Sequence, residues 1–140
     1  MIIRTFDAGD RETVIALWRE VFPEYADASR PQRSPALSID NKLKTQPELF
    51  FVGTLDGAVI GTVMCGYDGH RGWVYSLAVA PAQQGRGFGR ALMHHVERTL
   101  GALGCPKVNL QIMAFKTDLR GFYEKLGYRM DEVVSLGKRL

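Results

Sequence analysis

The segment VAPAQQGRGFGRALM, residues 79–93, decides the fold because it joins an apolar run to an amphipathic one. The apolar run at 73–79 predicts a buried strand, and the run that follows, to about Leu103, predicts a helix with one apolar face. A strand that enters a glycine-rich turn and then a helix presents backbone N–H groups at the positive end of that helix. This arrangement predicts a binding site for phosphate oxygens.

The residue types of the turn have separate physical roles. Gly85, Gly87 and Gly89 lack a Cβ, so the backbone can adopt unusual dihedral angles and a ligand can approach it closely. Arg86 and Arg90 can add charge-assisted hydrogen bonds to phosphate oxygens. The turn lacks the Gly-Lys-Ser/Thr sequence of nucleoside-triphosphate loops, and arginine stands at 90, where a dinucleotide fingerprint counted from Gly85 requires glycine. Both nucleotide classes therefore fit poorly.

The periodicity of the remaining chain predicts alternating strands and helices of an α/β (α+β) domain. The segment 23–35 is polar, is interrupted by prolines and shows no core-facing pattern. Asp56-Gly57 is a two-residue hairpin signal, and Gly104 suits the left-handed end of a helix. The predicted strands are 1–6, 49–55, 58–67, 73–79 and 108–112 with a last hairpin at 128–130 and 133–136, and the predicted helices are 10–22, 34–44, 88–103 and 119–126.

Composition is that of an ordinary folded protein and excludes several classes. The chain has 140 residues, 46% of them hydrophobic and 24% charged, so we expect one domain over residues 1–140. The formal net charge of +3 is too small and too scattered to indicate nucleic-acid binding. No apolar run reaches the length of a membrane span, and the chain begins with a strand pattern rather than a signal peptide, so we expect a cytoplasmic protein.

The cysteine and histidine residues show no pattern of a metal or disulfide site. Cys65 and Cys105 are expected to be free thiols, because nothing in their spacing pairs them. His94 and His95 are adjacent on one predicted helix and point about 100° apart, which makes them poor partners for one metal ion. No metal is expected.

A family resemblance rests on residues that extend beyond the turn. Gln84-x-x-Gly87-x-Gly89, preceded by residues 77–79 and by Pro81, resembles the acyl-coenzyme A signature of the GCN5-related N-acetyltransferase (GNAT) superfamily. The segments 66–72, 104–107 and 136–140 resemble the bacterial YpeA branch of that superfamily. The predicted order β-α-α-β-β-β-α-β-α-β-β is also the family's order. The resemblance implies a mixed sheet of six to seven strands flanked by about four helices.

The resemblance further implies how acetyl-coenzyme A, the acetyl donor, is bound. The backbone of the strand before the turn pairs with the pantetheine arm, the turn holds the pyrophosphate, and the strands at 73–79 and 108–112 splay apart to admit the arm. Lys116 stands where the family often has an asparagine that contacts the cofactor, which leaves that contact open. The implied cofactor-binding residues are Leu77, Ala78, Val79, Gln84, Gly85, Arg86, Gly87, Phe88, Gly89, Arg90 and Lys116.

The implied reaction is direct transfer of the acetyl group to a primary amine through a tetrahedral intermediate. A lysine-like amine with a pKa of ~10.4 must lose its proton first, which costs roughly 4.6 kcal/mol at pH 7. The base is open among Asp68, His70 and water, with Tyr75 and Ser76 near on the strand. The Val79 amide is the implied donor to the oxyanion. Tyr123 matches the tyrosine that the family uses to protonate the departing thiolate.

The acceptor and the assembly are not encoded in a recognisable pattern. We expect the acceptor site to be walled by the first two helices, the segment 23–35 and the connection 68–72, where Glu20, Glu24 and Asp27 can attract a cationic amine. The family allows a monomer or a homodimer. Two other functions stay open at this point: a non-catalytic acyl-coenzyme A-binding module or sensor, and a nucleotide-binding regulatory domain.

Overall fold

The computed structural model describes residues 1–27, 29–30 and 33–140, which form two compact units, Met1–Leu110 and Gln111–Leu140. The first unit contains a sheet of five strands that lie side by side in chain order. The pairs formed by the first four strands are antiparallel, and the fifth strand is parallel to the fourth. The strands are β1 (Ile2–Thr5), β2 (Phe50–Leu55), β3 (Ala58–Tyr67), β4 (Gly72–Val79) and β5 (Val108–Leu110).

Among the described residues, three α-helices belong to the first unit and one to the second: α1 (Arg11–Val21), α2 (Pro35–Lys44), α3 (Phe88–Ala102) and α4 (Leu119–Lys125). Local signals explain their ends. The Ser34 hydroxyl accepts a hydrogen bond from the Leu37 N–H at 3.3 Å, and proline follows at the first helical position, so α2 begins where the sequence predicts. Gly104 adopts a φ of 86° just beyond α3. The prediction of an α/β (α+β) fold is confirmed.

The core lies on both faces of the sheet. On one face, α1 and α2 cover a cluster that includes Val14, Trp18 and Ile39, each with no exposed surface. On the other face, α3 buries Leu92 and Val96, together with Met93 and Leu100. Leu37, Leu43 and Leu103, which the helical pattern places on apolar faces, are exposed instead. The most deeply buried strands are therefore β2 and β3.

The last hairpin predicted from the sequence, at 128–130 and 133–136, is wrong, and the sheet has five strands rather than six or seven. Residues 128–140 contain no strand in this structure, and β5 ends at Leu110 rather than at Ile112. Met130, Val133 and Leu136 are exposed. Alternating apolar residues favour a strand only when a neighbouring strand satisfies the backbone, and the sequence pattern does not report whether that partner is present.

Candidate functional site

The glycine turn between β4 and α3 contains two left-handed residues. Gly85 has a φ of 77° and Gly87 a φ of 83°, conformations that residues with a Cβ rarely adopt. A Cβ built at either position has no atom within 4 Å, so the space over the turn is open. Unusual dihedral angles are also expected at Gly89, but this residue lies inside α3 and has no positive φ. The turn therefore exposes its backbone to any ligand that approaches.

The first turn of α3 supplies the donors that the sequence predicts. The first intrahelical hydrogen bond runs from the Ala91 N–H to the Gly87 carbonyl at 3.0 Å. The N–H groups of Phe88, Gly89 and Arg90 precede that bond and belong to the positive end of the helix. Gly87 occupies the N-cap position without a capping side chain. This geometry fits an anion such as a phosphate group.

The side chains of the turn are held by short contacts. The Gln84 amide donates to the Val79 carbonyl at 3.0 Å, which ties the turn to the last residue of β4. Arg86 donates to the side-chain oxygen of Gln83, and its guanidinium lies 5.0 Å from the centre of the Phe88 ring. The side chains of Arg86 and Arg90 are exposed and can both reach an anion over the turn.

One edge of β4 opens toward its carboxyl end. The ladder with β5 pairs Gly72 with Val108 and ends at the pair of Val74 and Leu110. On its other edge, β4 stays paired with β3 as far as Val79. Within residues 1–110, the edge of β4 from 75 to 79 therefore has no strand partner, and its backbone groups can pair with an extended ligand. This is the edge expected to receive a pantetheine arm.

A β-bulge interrupts β4 at its centre. Thr62 lies opposite Ala78 and Met64 lies opposite Tyr75, so β4 has one residue more than β3 over this interval. Ser76 inside the bulge has a φ of 52°, the left-handed region that favours glycine. Nothing in the sequence indicates this bulge, because serine gives no signal for it.

The bulge reverses which face of the sheet each residue of β4 occupies. A Cβ at Gly72 would lie 2.9 Å from a Leu100 methyl, so position 72 faces α3. Position 78 is six residues on and would share that face in a regular strand. Ala78 instead packs in the cluster of Val14 and Trp18, on the face of α1. The alternation after Ser76 is thus shifted by one residue.

Four side chains surround the bulge. The Trp18 indole N–H donates to the Thr62 hydroxyl oxygen at 2.8 Å, and that hydroxyl donates to the Ser76 carbonyl at 2.9 Å. The Tyr25 phenol lies near the hydroxyls of Ser38 and Ser76, and burial raises the pKa of Tyr25. The rings of Trp18 and Tyr25 are stacked, with centroids 6.1 Å apart.

A surface pocket of about 240 Å³ lies beside Tyr25 and carries three arginines. Arg30 lies 3.7 Å from Asp27, whose carboxylate also accepts from the Ser29 N–H and hydroxyl. No ion pair within 4.0 Å is found for Arg19 or Arg33 among the residues described. Of the polar segment 23–35, positions 28, 31 and 32 lie outside the described residues. The pocket is lined by Arg19, Tyr25, Ala26, Asp27, Arg30, Arg33, Ser34 and Pro35.

The candidate bases lie in or near the connection from β3 to β4. One oxygen of the Asp68 carboxylate accepts from the Arg71 N–H at 2.7 Å and from the His70 N–H at 2.8 Å. These backbone hydrogen bonds lower the pKa of Asp68, so its carboxylate closes the turn and is a weak base. Tyr75 is 51% exposed, and burial of the rest of the ring raises its pKa.

The second unit contains Tyr123 and Lys116. The Tyr123 ring lies on α4, with ring centroids 5.0 Å from Phe122 and 6.0 Å from Tyr128. Burial raises the pKa of Tyr123 to about 12. The Lys116 ammonium lies 5.7 Å from the centre of the exposed Phe115 ring. Both side chains therefore lie in defined local surroundings within their own unit.

The remaining chemistry-bearing groups add no second centre in the part of the chain described. Cys65 and Cys105 are free thiols, and burial raises the pKa of Cys65 to about 11. Across 1–27, 29–30 and 33–140, no group of three His, Cys, Asp or Glu side chains is arranged to hold a metal ion. None of the helices in those ranges combines the length and apolar character needed to cross a bilayer.

Solved structures of other proteins share this fold. The N-acetyltransferase PaiA of Thermoplasma acidophilum, solved with coenzyme A, superposes with a TM-score of 0.81 at 20% identity, over 95% of this chain and 92% of that one. Ard1 of Thermoplasma volcanium superposes with a TM-score of 0.77 at 24% identity, over 93% of this chain and 83% of that one. The fold is that of the α/β acetyltransferases.

Sequence comparison gives the family. Residues 12–128 match the model described as the acetyltransferase (GNAT) family. A curated acetyltransferase of Yersinia enterocolitica is 46% identical over 140 residues, which span all of this chain and 96% of the relative. The chain belongs to the GNAT acetyltransferase family. It is therefore an acyltransferase with acetyl-coenzyme A as its donor, and the non-catalytic module is not favoured.

Proposed function

We propose that residues 1–140 form one N-acetyltransferase domain that moves an acetyl group from acetyl-coenzyme A to a primary amine of a small molecule or a protein. The proposal rests on two structural features that follow each other directly along the chain, between position 75 and the start of α3. The edge of β4 is open from 75 to 79, and the exposed N–H groups at the start of α3 follow directly after it. An extended arm and a pyrophosphate, as in coenzyme A, match these two features in that order.

The proposed donor contacts follow from this order. The backbone groups of Leu77 and Val79 pair with the pantetheine arm along the open edge, and Ala78 lies between them in the proposed cofactor-binding segment. The pyrophosphate lies over the left-handed glycines, where backbone N–H groups and two arginine side chains donate to it. Lys116 is proposed to add a charge to a phosphate group. The residues assigned to the pyrophosphate are Gln84, Gly85, Arg86, Gly87, Phe88, Gly89 and Arg90.

The acceptor amine must reach the thioester as a neutral nucleophile. The Asp68 carboxylate is occupied by two backbone donors, which supports His70 or water as the group that removes the proton. The Val79 N–H is proposed to donate to the oxygen that becomes negative in the tetrahedral intermediate. The C–N bond forms as the amine attacks, and the C–S bond breaks as the intermediate collapses.

Tyr123 is proposed to stabilise the departing thiolate by hydrogen bonding. With a pKa of about 12, its phenol stays protonated throughout the neutral range. A thiol has a pKa of about 8.5, so complete proton transfer from this phenol to the thiolate would be uphill by roughly 5 kcal/mol. The hydroxyl therefore acts as a donor, while the proton that the thiol finally carries comes from solvent or from the amine.

Replacing Tyr123 by phenylalanine tests this role directly. We expect kcat to fall about 10- to 100-fold, because one preorganised donor to developing charge is lost. The Kd for acetyl-coenzyme A, measured by titration calorimetry, should change less than about twofold, since the ring and its packing remain. An unchanged kcat would remove Tyr123 from the mechanism. Between pH 7 and 10 the wild type should show no loss of kcat from Tyr123 ionisation, because its pKa is about 12.

The pocket beside Tyr25 supports an acceptor amine that also carries a carboxylate. Its charged lining residues are three arginines and one aspartate, and that aspartate is already engaged by Arg30 and Ser29. Tyr25 connects the pocket with β4, because its phenol lies near the Ser76 hydroxyl. Guanidinium groups are suited to binding carboxylates through paired donors. A cationic amine attracted by Glu20, Glu24 and Asp27 is therefore the less favoured acceptor.

The experiment is an assay of thiol release from acetyl-coenzyme A with matched amines. Amino acids and short peptides with a free carboxylate are compared with the same compounds as amides. Turnover that needs an amine, with a KM at least about 10-fold lower for the carboxylates, supports both parts of the proposal. Turnover without that preference would overturn the acceptor assignment alone. Binding of coenzyme A without turnover on any amine would restore the non-catalytic module.

A further inference from the structure

The bulge in β4 has a backbone conformation that its own residues do not favour. Ser76 takes a φ of 52° without glycine, and no glycine or asparagine stands at 75, 77 or 78. A serine keeps such a conformation only when its surroundings determine it. The contacts that surround Ser76 therefore explain why the bulge lies at this residue.

Those contacts connect four residues around the bulge. Trp18 donates to Thr62, and Thr62 donates to the Ser76 carbonyl. The Tyr25 ring stacks on Trp18, and its phenol lies near the Ser76 hydroxyl. Trp18 and Thr62 have no exposed surface. We call this set the bulge ring. Each member contacts the next, so displacing one removes support from the others.

The hydroxyl of Thr62 is the central element of the bulge ring. A hydroxyl has one donor proton and two acceptor lone pairs, so it can accept from the Trp18 indole and donate to the Ser76 carbonyl at once. No residue without a hydroxyl or an equivalent group can do both from this buried position. Valine has the same shape as threonine, but it would leave the indole N–H and the Ser76 carbonyl without this partner.

The bulge determines where the reactive part of the strand points. Because the alternation shifts at Ser76, Ala78 faces α1, and Val79 approaches α3 with a methyl 3.8 Å from a Cβ built at Gly61. The backbone groups of Leu77 and Val79 are those assigned to the pantetheine arm and the oxyanion. A regular strand would turn each of these groups toward the opposite edge.

We propose that Trp18, Thr62 and Tyr25 are positioning residues for acetyl transfer, which act by holding Ser76 in the left-handed conformation that aims the Val79 N–H at the reacting thioester. The proposal rests on the proposed function for its catalytic part. None of the three residues needs to contact the thioester carbon, because their effect reaches it through the β4 backbone. The hydroxyl of Thr62, rather than its volume, carries the effect.

Thr62→Val and Thr62→Ser separate the hydroxyl from the packing. Valine keeps the volume and removes the hydroxyl, whereas serine keeps the hydroxyl and removes one methyl group. We expect kcat to fall about 10- to 100-fold in Thr62→Val and less than about threefold in Thr62→Ser, because small displacements at a reacting centre reduce turnover strongly. A purely structural packing role predicts the reverse order, with serine the more damaging change.

A second measurement does not depend on turnover. In two-dimensional ¹H–¹⁵N spectra of the free protein, Thr62→Val should move the amide signals of Ser76 and Val79, while Thr62→Ser should leave them near their wild-type positions. If the wild type releases no thiol with any amine, the proposed function fails, and the spectra still decide whether the bulge ring holds Ser76. Equal spectra for the two variants, or equal kcat values, would overturn the proposal.

A second variant keeps the test available if Thr62→Val does not fold at the assay temperature. Trp18→Phe removes the indole N–H together with part of the buried ring system, and it leaves the Thr62 hydroxyl free to donate to Ser76. We expect about a two- to fivefold loss of kcat with the KM for acetyl-coenzyme A within twofold, together with smaller shifts at Ser76. Wild-type kcat and wild-type spectra in Trp18→Phe, with Thr62→Val unfolded, would also overturn the proposal.

Discussion

The glycine turn and the β4 bulge place the backbone in the same left-handed region by opposite means. In the turn, Gly85 and Gly87 adopt φ values of 77° and 83° at little steric cost. In the bulge, Ser76 adopts a φ of 52° at a cost of roughly 1–2 kcal/mol, which contacts from Trp18, Thr62 and Tyr25 must offset. One conformation is encoded locally, and the other depends on residues distant in the sequence.

The surroundings of the two regions differ in the same way. A Cβ at Gly85 or Gly87 would meet nothing within 4 Å, whereas Thr62 beneath the bulge is completely buried. The turn presents bare backbone outward, as binding a phosphate requires. The bulge is held by the buried Thr62 side chain, and it shifts the alternation of the strand that leads to the turn. In the proposed function, the locally encoded turn binds the ligand, and the tertiary contacts around the bulge align the strand.

The largest expected effect comes from removing the local conformational freedom of the turn. Gly87→Ala should destabilise the fold by about 1–2 kcal/mol and weaken coenzyme A binding at least about 10-fold, because the φ of 83° becomes strained and a methyl occupies the surface over the turn. Titration calorimetry and thermal unfolding measure both effects. Gly101→Ala is the matched control, since Gly101 lies in α3 without positive φ and its added Cβ meets no atom within 4 Å.

For Gly101→Ala, we expect a gain of about 0.5–1 kcal/mol in stability and unchanged binding, because alanine is the better helix former. If the two alanine variants bound coenzyme A equally, the turn would not require the left-handed conformation of Gly87.

An intermediate effect is expected from placing a glycine, the residue type of the turn, in the bulge. Ser76→Gly removes the strain of a positive φ but also the hydroxyl that lies near Tyr25, so the free energy of unfolding should change by less than about 1 kcal/mol. We expect kcat to fall about two- to fivefold, because a glycine is freer to leave the bulged conformation. A stabilisation above about 2 kcal/mol with unchanged kcat would show that the surrounding contacts do not matter for alignment.

The smallest effect is expected from removing the hydrogen bond that connects the glycine turn with the end of β4. Gln84→Ala removes the hydrogen bond from the Gln84 amide to the Val79 carbonyl, which is exposed and should contribute about 0.5–1 kcal/mol. Coenzyme A binding is therefore expected to weaken about two- to fivefold. Gln83→Ala is the comparison, because it leaves that hydrogen bond intact while removing the partner of Arg86. A larger loss in Gln83→Ala would assign the role to the arginine instead.

Local signals made several elements predictable. Asp56-Gly57 forms the expected two-residue hairpin with φ values of 51° and 81°, because both residues tolerate the left-handed region. The bounds of α2 follow from Ser34 and Pro35, and the end of α3 follows from Gly104. Asp68 was a candidate base in the sequence, yet the structure engages it with two backbone N–H groups. From the sequence alone, a carboxylate in a tight connection fits the role of a catalytic base as well as the role of a turn-closing acceptor.

The sequence by itself determined the order of the main elements, the glycine turn at the start of α3, and through its motif the acetyltransferase family. Each depends on neighbours within a few residues, which a pattern records directly. The tertiary structure alone decided the bulge at Ser76, the exposed tail in place of a last hairpin, and the arginine pocket beside Tyr25. These depend on which distant side chain or strand is present to satisfy a backbone group or to bring charges together, and no local pattern contains that information.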